Sequence, residues 1–350
     1  IFEDAHMGVG VSSDLNKRLR FLAPQIPERD QFPKAKVDLL AAHAQWLGQS
    51  IGDVALNYAP SHKEFLSNID VQLMHALSDQ SKLRFTVNGL LGDPGTGALH
   101  WILTQKPADL HELCMADPKT VEKLLQRKYA RASLGTQITI DQAFMSTVRG
   151  IDNRELLLPT LPQGRGEDLF FGAVTHFLYP GTLTANLPFM SPHRIGEERP
   201  WTEADIHRPA ALNQKHNPFT ILSDWIAGIH LPSGHFLARL DHLRGWLVHL
   251  STVEQSTLEE MLVEYVNETQ GEFLKALNDT SSALEAPDWL KDIYGTVIQD
   301  TLAVDEHYQQ SLDQLARPIR EIATAYADVL SDWVLAWRWC CQHDMVEELP

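Results

Sequence analysis

Apolar and polar positions along the first two thirds of the chain predict a mixture of strands and helices. The segment KLRFTVNGLL alternates apolar with polar residues, as a half-buried β-strand does, and GTQITI suggests a second short strand. Other segments have apolar residues three or four positions apart, which is typical of amphipathic helices. The predicted strands are residues 82–91 and 135–140, and the predicted helices are residues 37–50, 67–79 and 118–132.

A buried helix is predicted at residues 167–178, and a Pro-rich stretch follows it as far as about residue 218. From residue 219 onward, apolar residues recur only with the helical period. Two apolar stripes lie in this part: Leu258, Met261, Leu262, Tyr265, Val266, Phe273 and Leu277 form the first, and Leu312, Leu315, Ile319, Ile322, Tyr326, Val329, Val334 and Trp337 form the second. Pro287 followed by Asp288 predicts the start of a further helix.

These patterns predict two domains. Residues 1–218 are expected to form an α/β region with few strands and residues 219–350 an acidic all-α domain, so that the chain is predominantly helical. Residues 251–350 contain 20 acidic and 5 basic residues, a net charge of −15, whereas the 26 acidic and 24 basic residues of 1–250 leave −2. Because an acidic tail repels phosphate backbones, we expect no nucleic-acid partner.

The sequence also indicates the cellular compartment of the protein. No run of about 18 apolar residues occurs, so no membrane-spanning helix is expected. No basic segment followed by an apolar one opens the chain, so no signal peptide is expected. The three cysteines fit a reducing cytosol, and we predict a cytoplasmic protein in which Cys340 and Cys341 are buried. Neither CxxC nor HExxH occurs, which excludes the common zinc signatures.

One segment brings two adjacent carboxylates to the start of an apolar helix. Residues 151–172 read IDNRELLLPTLPQGRGEDLFFG, in which a Gly-bearing loop precedes Glu167 and Asp168. This segment resembles the acidic-pair segment of GT-A-type, family-two-like bacterial glycosyltransferases. Two further segments, VNGLLGDPGTG and NLPFMSPHR, resemble the loops before and after that helix in the same family. The resemblance covers roughly residues 38–225 and implies a partial GT-A-like fold.

The resemblance implies a nucleotide-sugar donor, a hydroxyl acceptor and a role for each motif residue. In an inverting transfer, a carboxylate takes the proton of the attacking hydroxyl, and the diphosphate leaving group needs positive charge. By resemblance, Asp168 is the base with Glu167 beside it, Asp93 with Gly92 and Gly95 contacts acceptor or sugar, Arg165 and Arg194 meet phosphate, and His193 is a ligand of Mg²⁺ or Mn²⁺.

Each of these residues also has an ordinary structural interpretation. Acidic residues in a first helical turn are favoured by the helix dipole, which explains Glu167 and Asp168 without chemistry. Asp93 is equally typical of a turn, and His193 of an ordinary loop. Arg165 and Arg194 are also consistent with surface arginines or ion pairs.

The chain departs from the family in one respect. GT-A enzymes bind the nucleotide through an N-terminal βαβ half with an Asp-x-Asp motif, and none precedes residue 37. That half is therefore expected upstream of Ile1, or the chain lacks it and is catalytically silent. The alternatives left open are a helical interaction or assembly protein, including a homo-oligomer formed through the helical tail, and a metal-dependent hydrolase using His and Asp residues.

Overall fold

The protein combines a mixed β-sheet with a set of long helices. The computed structural model describes residues 10–11, 19–22, 38–58, 81–92, 103, 129–133, 136–140, 148–161, 166–193, 217–231, 235–283, 288–302 and 308–343. Within these ranges the protein is predominantly helical with few strands, as the sequence predicts. Among the helices of these ranges, none has the length and apolar content that crossing a bilayer requires.

Seven strands form one sheet in the described part. They are β1 (Gly10–Val11), β2 (Leu19–Leu22), β3 (Lys82–Gly92), β4 (Tyr129–Ser133), β5 (Gln137–Thr139), β6 (Arg149–Ile151) and β7 (Thr182–His193). Their order is β1-β5-β7-β3-β4-β2, and β6 pairs with β3 beside this path. The two longest strands, β3 and β7, are parallel neighbours, whereas β4 and β6 are antiparallel to β3 and β5 is antiparallel to β7.

The helices of the described part include two long ones near the C-terminus. They are α1 (Leu39–Ala44), α2 (Ile51–Tyr58), α3 (Glu167–Leu178), α4 (Pro218–Ala227), α5 (Phe236–Thr252), α6 (Gln255–Ala283), α7 (Asp288–Leu302) and α8 (Tyr308–Gln342). The predicted helix at 167–178 and the predicted start at Asp288 are confirmed. The helix predicted at 37–50 is shorter: Asp38 caps it by accepting the Ala41 N–H at 3.1 Å, and Gly48 follows it with φ of 71°.

The strand predictions are correct, but two other expectations of secondary structure are wrong. The last four residues of the helix predicted at 118–132 belong instead to β4, which pairs with both β2 and β3. Pairing on both edges offsets a local preference for helix. Residues 118–128 and the helix predicted at 67–79 lie outside the described residues.

The second error is β7, which lies inside the stretch expected to be Pro-rich connection. Pro188 lacks the N–H that a central strand needs. The sheet accommodates it by an irregularity, because Asn88 faces Leu187 whereas the next residue, Gly89, faces Met190. Pro188 and its neighbour are therefore skipped in the pairing, and β7 continues to His193 beside β3.

Two separate apolar cores pack on the sheet, and an irregularity in β3 between Leu83 and Phe85 puts these two residues in different cores, although simple alternation would place them on one face. Leu83, Leu183 and Leu187 pack with Trp46 and Val54, which come from the α1–α2 region. Phe85 lies in a larger core on the other face, and that core also contains residues of α3, α4, α5, α6 and α8. It therefore includes residues from both sides of the predicted domain boundary at 218/219.

The first predicted helical stripe is buried or packs against the core, as expected. In α8 the prediction is correct for Leu312, Ile319 and Tyr326, but Val329 is 42% exposed and Leu330 is buried instead. Cys340 and Cys341 are exposed, which contradicts the expectation that they are buried. Both lie in the last turns of α8, where the helix extends past the buried residues.

Candidate functional site

The paired acids form the first turn of α3, where the sequence predicts them. Gly166 precedes them with φ of 97°, a backbone conformation that residues other than glycine rarely adopt. The chain therefore turns sharply into the helix. Glu167 and Asp168 are both half-buried. Asp168 Oδ1 accepts the N–H of Leu169 at 2.9 Å, and both carboxylates lie at the positive end of the helix dipole.

A second helix start lies against this tip. A Cβ placed on Gly166 would lie 3.4 Å from the Cβ of Phe219 and 3.6 Å from Oγ1 of Thr220. Asn217 caps α4 by accepting the Phe219 N–H at 2.8 Å. Two helices therefore begin side by side next to the acidic pair, and the positive ends of both helix dipoles favour negative charge there.

The structure also brings together the strand ends of the two other motif segments. Gly92 and His193 are the last residues of β3 and β7, and they are register partners across the parallel pair. Ligands of α/β proteins commonly bind beyond the carboxyl ends of parallel strands. The side chain of His193 and all of Asp93, Gly95, Arg165 and Arg194 lie outside what the structure describes.

A metal ligand set is not assembled within the described ranges. No three His, Cys, Asp or Glu side chains there are arranged to hold an ion. Glu167 and Asp168 supply carboxylate oxygens, the donors that Mg²⁺ prefers, but the described residues add no third ligand beside them. The described residues therefore do not form a complete site for the Mg²⁺ or Mn²⁺ that the sequence resemblance implies.

Two cavities lie elsewhere in the described part. A shallow groove of about 770 Å³ follows α6 and is lined by acidic side chains such as Glu260 and Glu264. A cavity of about 10 Å³ lies beside Arg84 and Thr175 and is lined by other residues of β3 and of the segment before α3. Glu167 and Asp168 line neither of them.

A charged cluster that the sequence does not single out holds the other end of α3. Glu155 accepts hydrogen bonds from Lys82 and Arg84, each at 2.7 Å, and the Arg84 guanidinium lies 3.9 Å from the ring centre of Tyr179. Burial by itself raises the pKa of Glu155, but the two cations outweigh it and hold that pKa below its usual range. Burial raises the pKa of Tyr179 to about 12. This cluster ties the end of α3 to the start of β3.

A buried histidine on the opposite face of the sheet was also not predicted as a site. His43 Nδ1 lies 2.7 Å from Thr86 Oγ1, and Nε2 lies 3.3 Å from Asn88 Oδ1. Thr86 Oγ1 accepts the Gly150 N–H, and the amide of Asn88 donates to Ser191 Oγ at 3.0 Å. A neutral His43 fits this pattern by accepting from the Thr86 hydroxyl at Nδ1 and donating to Asn88 Oδ1 through Nε2.

The neutral state of His43 predicts a pH dependence of stability. Burial lowers the pKa of His43, against a smaller opposing effect of the hydrogen bond with Asn88. The unfolded chain binds this proton more readily, so the free energy of unfolding falls as pH drops below about 6.5, by at most about 1.4 kcal/mol per pH unit. Urea unfolding of the wild type and of His43→Gln from pH 7.5 to 5 measures it.

The exposed His242 of α5 provides the matched control for this experiment. His242→Gln is expected to keep the wild-type slope of unfolding free energy against pH, whereas His43→Gln flattens it. Equal slopes in wild type and His43→Gln would mean that His43 is protonated alike in the folded and unfolded chains.

Comparison with models of known protein families, with curated proteins and with solved structures produced no match. The interpretation of the site therefore rests on the residues of this chain. Sequence patterns locate the acidic helix start, because acids before an apolar helix are a local signal. They miss the His43 and Glu155 networks, whose partners are about 40 to 70 residues distant in the sequence.

Proposed function

We propose that this chain is the acceptor-side part of a GT-A-like glycosyltransferase. It would transfer a sugar from a nucleotide-sugar donor to a hydroxyl acceptor, with Asp168 as the base. One observation carries the proposal: the described parts of the three segments that carry the resemblance belong to one sheet and to the helix packed on it. β3 ends at Gly92, β7 ends beside it at His193, and α3 begins with the acidic pair.

The direction of α3 relates the acidic pair to the two long strands. Its last turn adjoins the start of both strands, since Thr182 N–H donates to Tyr179 O at 3.1 Å and Lys82 N–H donates to Gly181 O at 3.2 Å. The ring centres of Phe171 and Phe85 are 6.2 Å apart, so α3 lies on β3. α3 therefore runs back along both strands, and its first turn, about 18 Å from its last at 1.5 Å per residue, lies beside roughly the middle of β3 and β7, whose 11 and 12 residues span about 36 to 40 Å.

The chemistry assigned to these residues is a proton transfer coupled to substitution. In an inverting transfer, the acceptor oxygen forms a bond to the anomeric carbon while the bond to the diphosphate oxygen breaks. The hydroxyl proton passes to Asp168, which becomes neutral. The rigid first turn of α3 suits this role, because a base must be held close to the attacking oxygen. Glu167 lies beside it and raises the local negative charge.

Binding of a nucleoside diphosphate tests the proposal. We expect one member of a panel of nucleoside diphosphates, with Mn²⁺, to raise the melting temperature of the full-length protein. At 100 times the dissociation constant the stabilisation is about 2.7 kcal/mol. The same nucleotide linked to a sugar is then expected to be turned over, with nucleoside diphosphate release as the measured product.

Nucleosides without phosphates are the control, since they are expected to leave the melting temperature unchanged. If no member of the panel shifts the melting temperature and no nucleotide sugar is turned over, the transferase proposal is wrong.

A second function, an interaction or assembly protein acting through its helices, is favoured by a different observation. The end of α8 exposes large apolar side chains, with Leu335 at 63% and Trp339 at 50%. Exposed apolar groups that lie close together often mark contacts with other proteins. Self-association that Leu335→Lys abolishes, in a protein that binds no nucleotide, would favour this function, and sedimentation velocity measures it.

A further inference from the structure

The segment that leads into the acidic pair is held by side chains from elsewhere in the chain. Residues 156–161 have no regular secondary structure, yet three of their backbone carbonyls each accept a side-chain hydrogen bond. Tyr179 Oη donates to Leu156 O at 2.9 Å, and Trp333 Nε1 donates to Leu157 O at 2.6 Å. The third bond is made by Tyr326. Buried carbonyls without such donors are costly, so these bonds define the path of the segment.

Tyr326 contacts the chain before and after the short segment that leads into the acidic pair. Its hydroxyl donates to Pro159 O at 3.1 Å, seven residues before Gly166. Its ring packs edge-on against Phe170, with ring centres 4.8 Å apart, four residues after Gly166. Both rings are 1% exposed. One rigid side chain of α8 thus touches both stems of the loop.

The contact between the rings of Tyr326 and Phe170 also fixes the first turn of α3. Phe170 N–H makes the first hydrogen bond of the helix, to Gly166 O at 3.1 Å. Phe170 is held between Tyr326 and Phe219, whose ring centre is 6.2 Å away. Glu167 and Asp168 lie between Gly166 and Phe170, so their orientation depends on the packing of Phe170.

We propose that Tyr326 is a positioning residue for the Glu167–Asp168 pair, acting by clamping both stems of the preceding loop from α8. The proposal rests on the function proposed above for the acidic pair. It gives the C-terminal helices a defined role, because α8 sets the geometry of a site whose acidic groups lie in α3, the helix packed on the sheet. Because Tyr326 is fully buried, burial raises the pKa of its phenol, and the hydroxyl remains a donor at any pH the protein tolerates.

Tyr326→Phe tests the clamp while keeping the ring contact with Phe170. Hydrogen exchange of peptides covering residues 156–171 is expected to become faster, on the order of tenfold, because one buried hydrogen bond is lost. In donor turnover, kcat is expected to fall about tenfold with KM for the donor unchanged, since the acids lose orientation rather than binding.

Tyr294→Phe is the matched control. Tyr294 is a buried tyrosine of α7 whose hydroxyl likewise donates to a backbone carbonyl, that of Leu103, at 2.7 Å. Loss of the Tyr294 hydroxyl is expected to leave both hydrogen exchange in residues 156–171 and kcat at wild-type values. Trp333→Phe, at a half-buried position, is the second variant and is expected to accelerate exchange in the same peptides.

The outcomes separate this proposal from the proposed function. Faster exchange in residues 156–171 in Tyr326→Phe and Trp333→Phe, but not in Tyr294→Phe, supports the clamp whether or not a donor has been found. Unchanged exchange in both clamp variants overturns it, even if the wild type is an active transferase. A raised KM with unchanged kcat overturns the positioning role as well.

Discussion

We expect Asp168→Asn to lower kcat for sugar transfer by about 10²- to 10⁴-fold, the range that a general base contributes. Asparagine has nearly the same shape, and its Oδ1 still accepts the Leu169 N–H that Asp168 accepts at 2.9 Å. The start of α3 is therefore kept, while the group that takes the proton is removed. Turnover of the nucleotide sugar identified in the binding panel, measured with acceptor, gives the rate.

The exposed Asp241 of α5 supplies a matched control for this substitution. Asp241→Asn makes the same change of charge on the surface and is expected to keep the wild-type kcat. The melting temperature of both variants checks that the fold is intact. A kcat for Asp168→Asn within twofold of wild type would remove Asp168 from the role of base.

Phe170→Ala is expected to reduce the free energy of unfolding by about 3 to 5 kcal/mol, as truncation of a buried phenylalanine does. Phe170 is 1% exposed and contacts the rings of Phe219 and Tyr326. The lost ring leaves a cavity where α3, α4 and α8 meet. Urea unfolding followed by circular dichroism measures the change.

The loss of stability should extend to α8, because Phe170 and the buried residues of α8 share one core. Hydrogen exchange in residues 319–330 is expected to become faster in Phe170→Ala. Leu237→Ala, at a position of α5 that is 51% exposed, is the control and is expected to change stability by less than about 0.5 kcal/mol. A loss below 1 kcal/mol in Phe170→Ala, with unchanged exchange in α8, would contradict a common core.

The elements that the sequence predicts correctly have strong local signals. Residues 167–178 combine acids in the first turn with an almost continuous apolar run, and helix α3 has those bounds. The stripe that begins at Leu258 is also correct, because the helical period over a long segment is unambiguous. The alternation of apolar and polar residues over 82–91 predicts β3 correctly, because a period of two is typical of a strand.

The errors lie where distant partners decide the structure. β7 is a strand despite Pro188 because β3 and β5 pair with it on its two edges. Residues 129–133 are a strand because β2 and β3 lie on either side of them. Periodicity describes which side of an element is apolar, but it does not describe which other element is available to pair with it.

For the candidate site, the sequence alone determined the pair of acids, the glycine before them and the apolar helix behind them. These follow from dihedral preferences and from the affinity of helix N-termini for negative charge, which act within a few residues. Only the tertiary structure decided that Gly92 and His193 are neighbours and that Tyr326 holds both stems of the loop. Such contacts join residues about 100 or more positions apart, and their energies arise from packing and buried hydrogen bonds that exist only once the chain has folded.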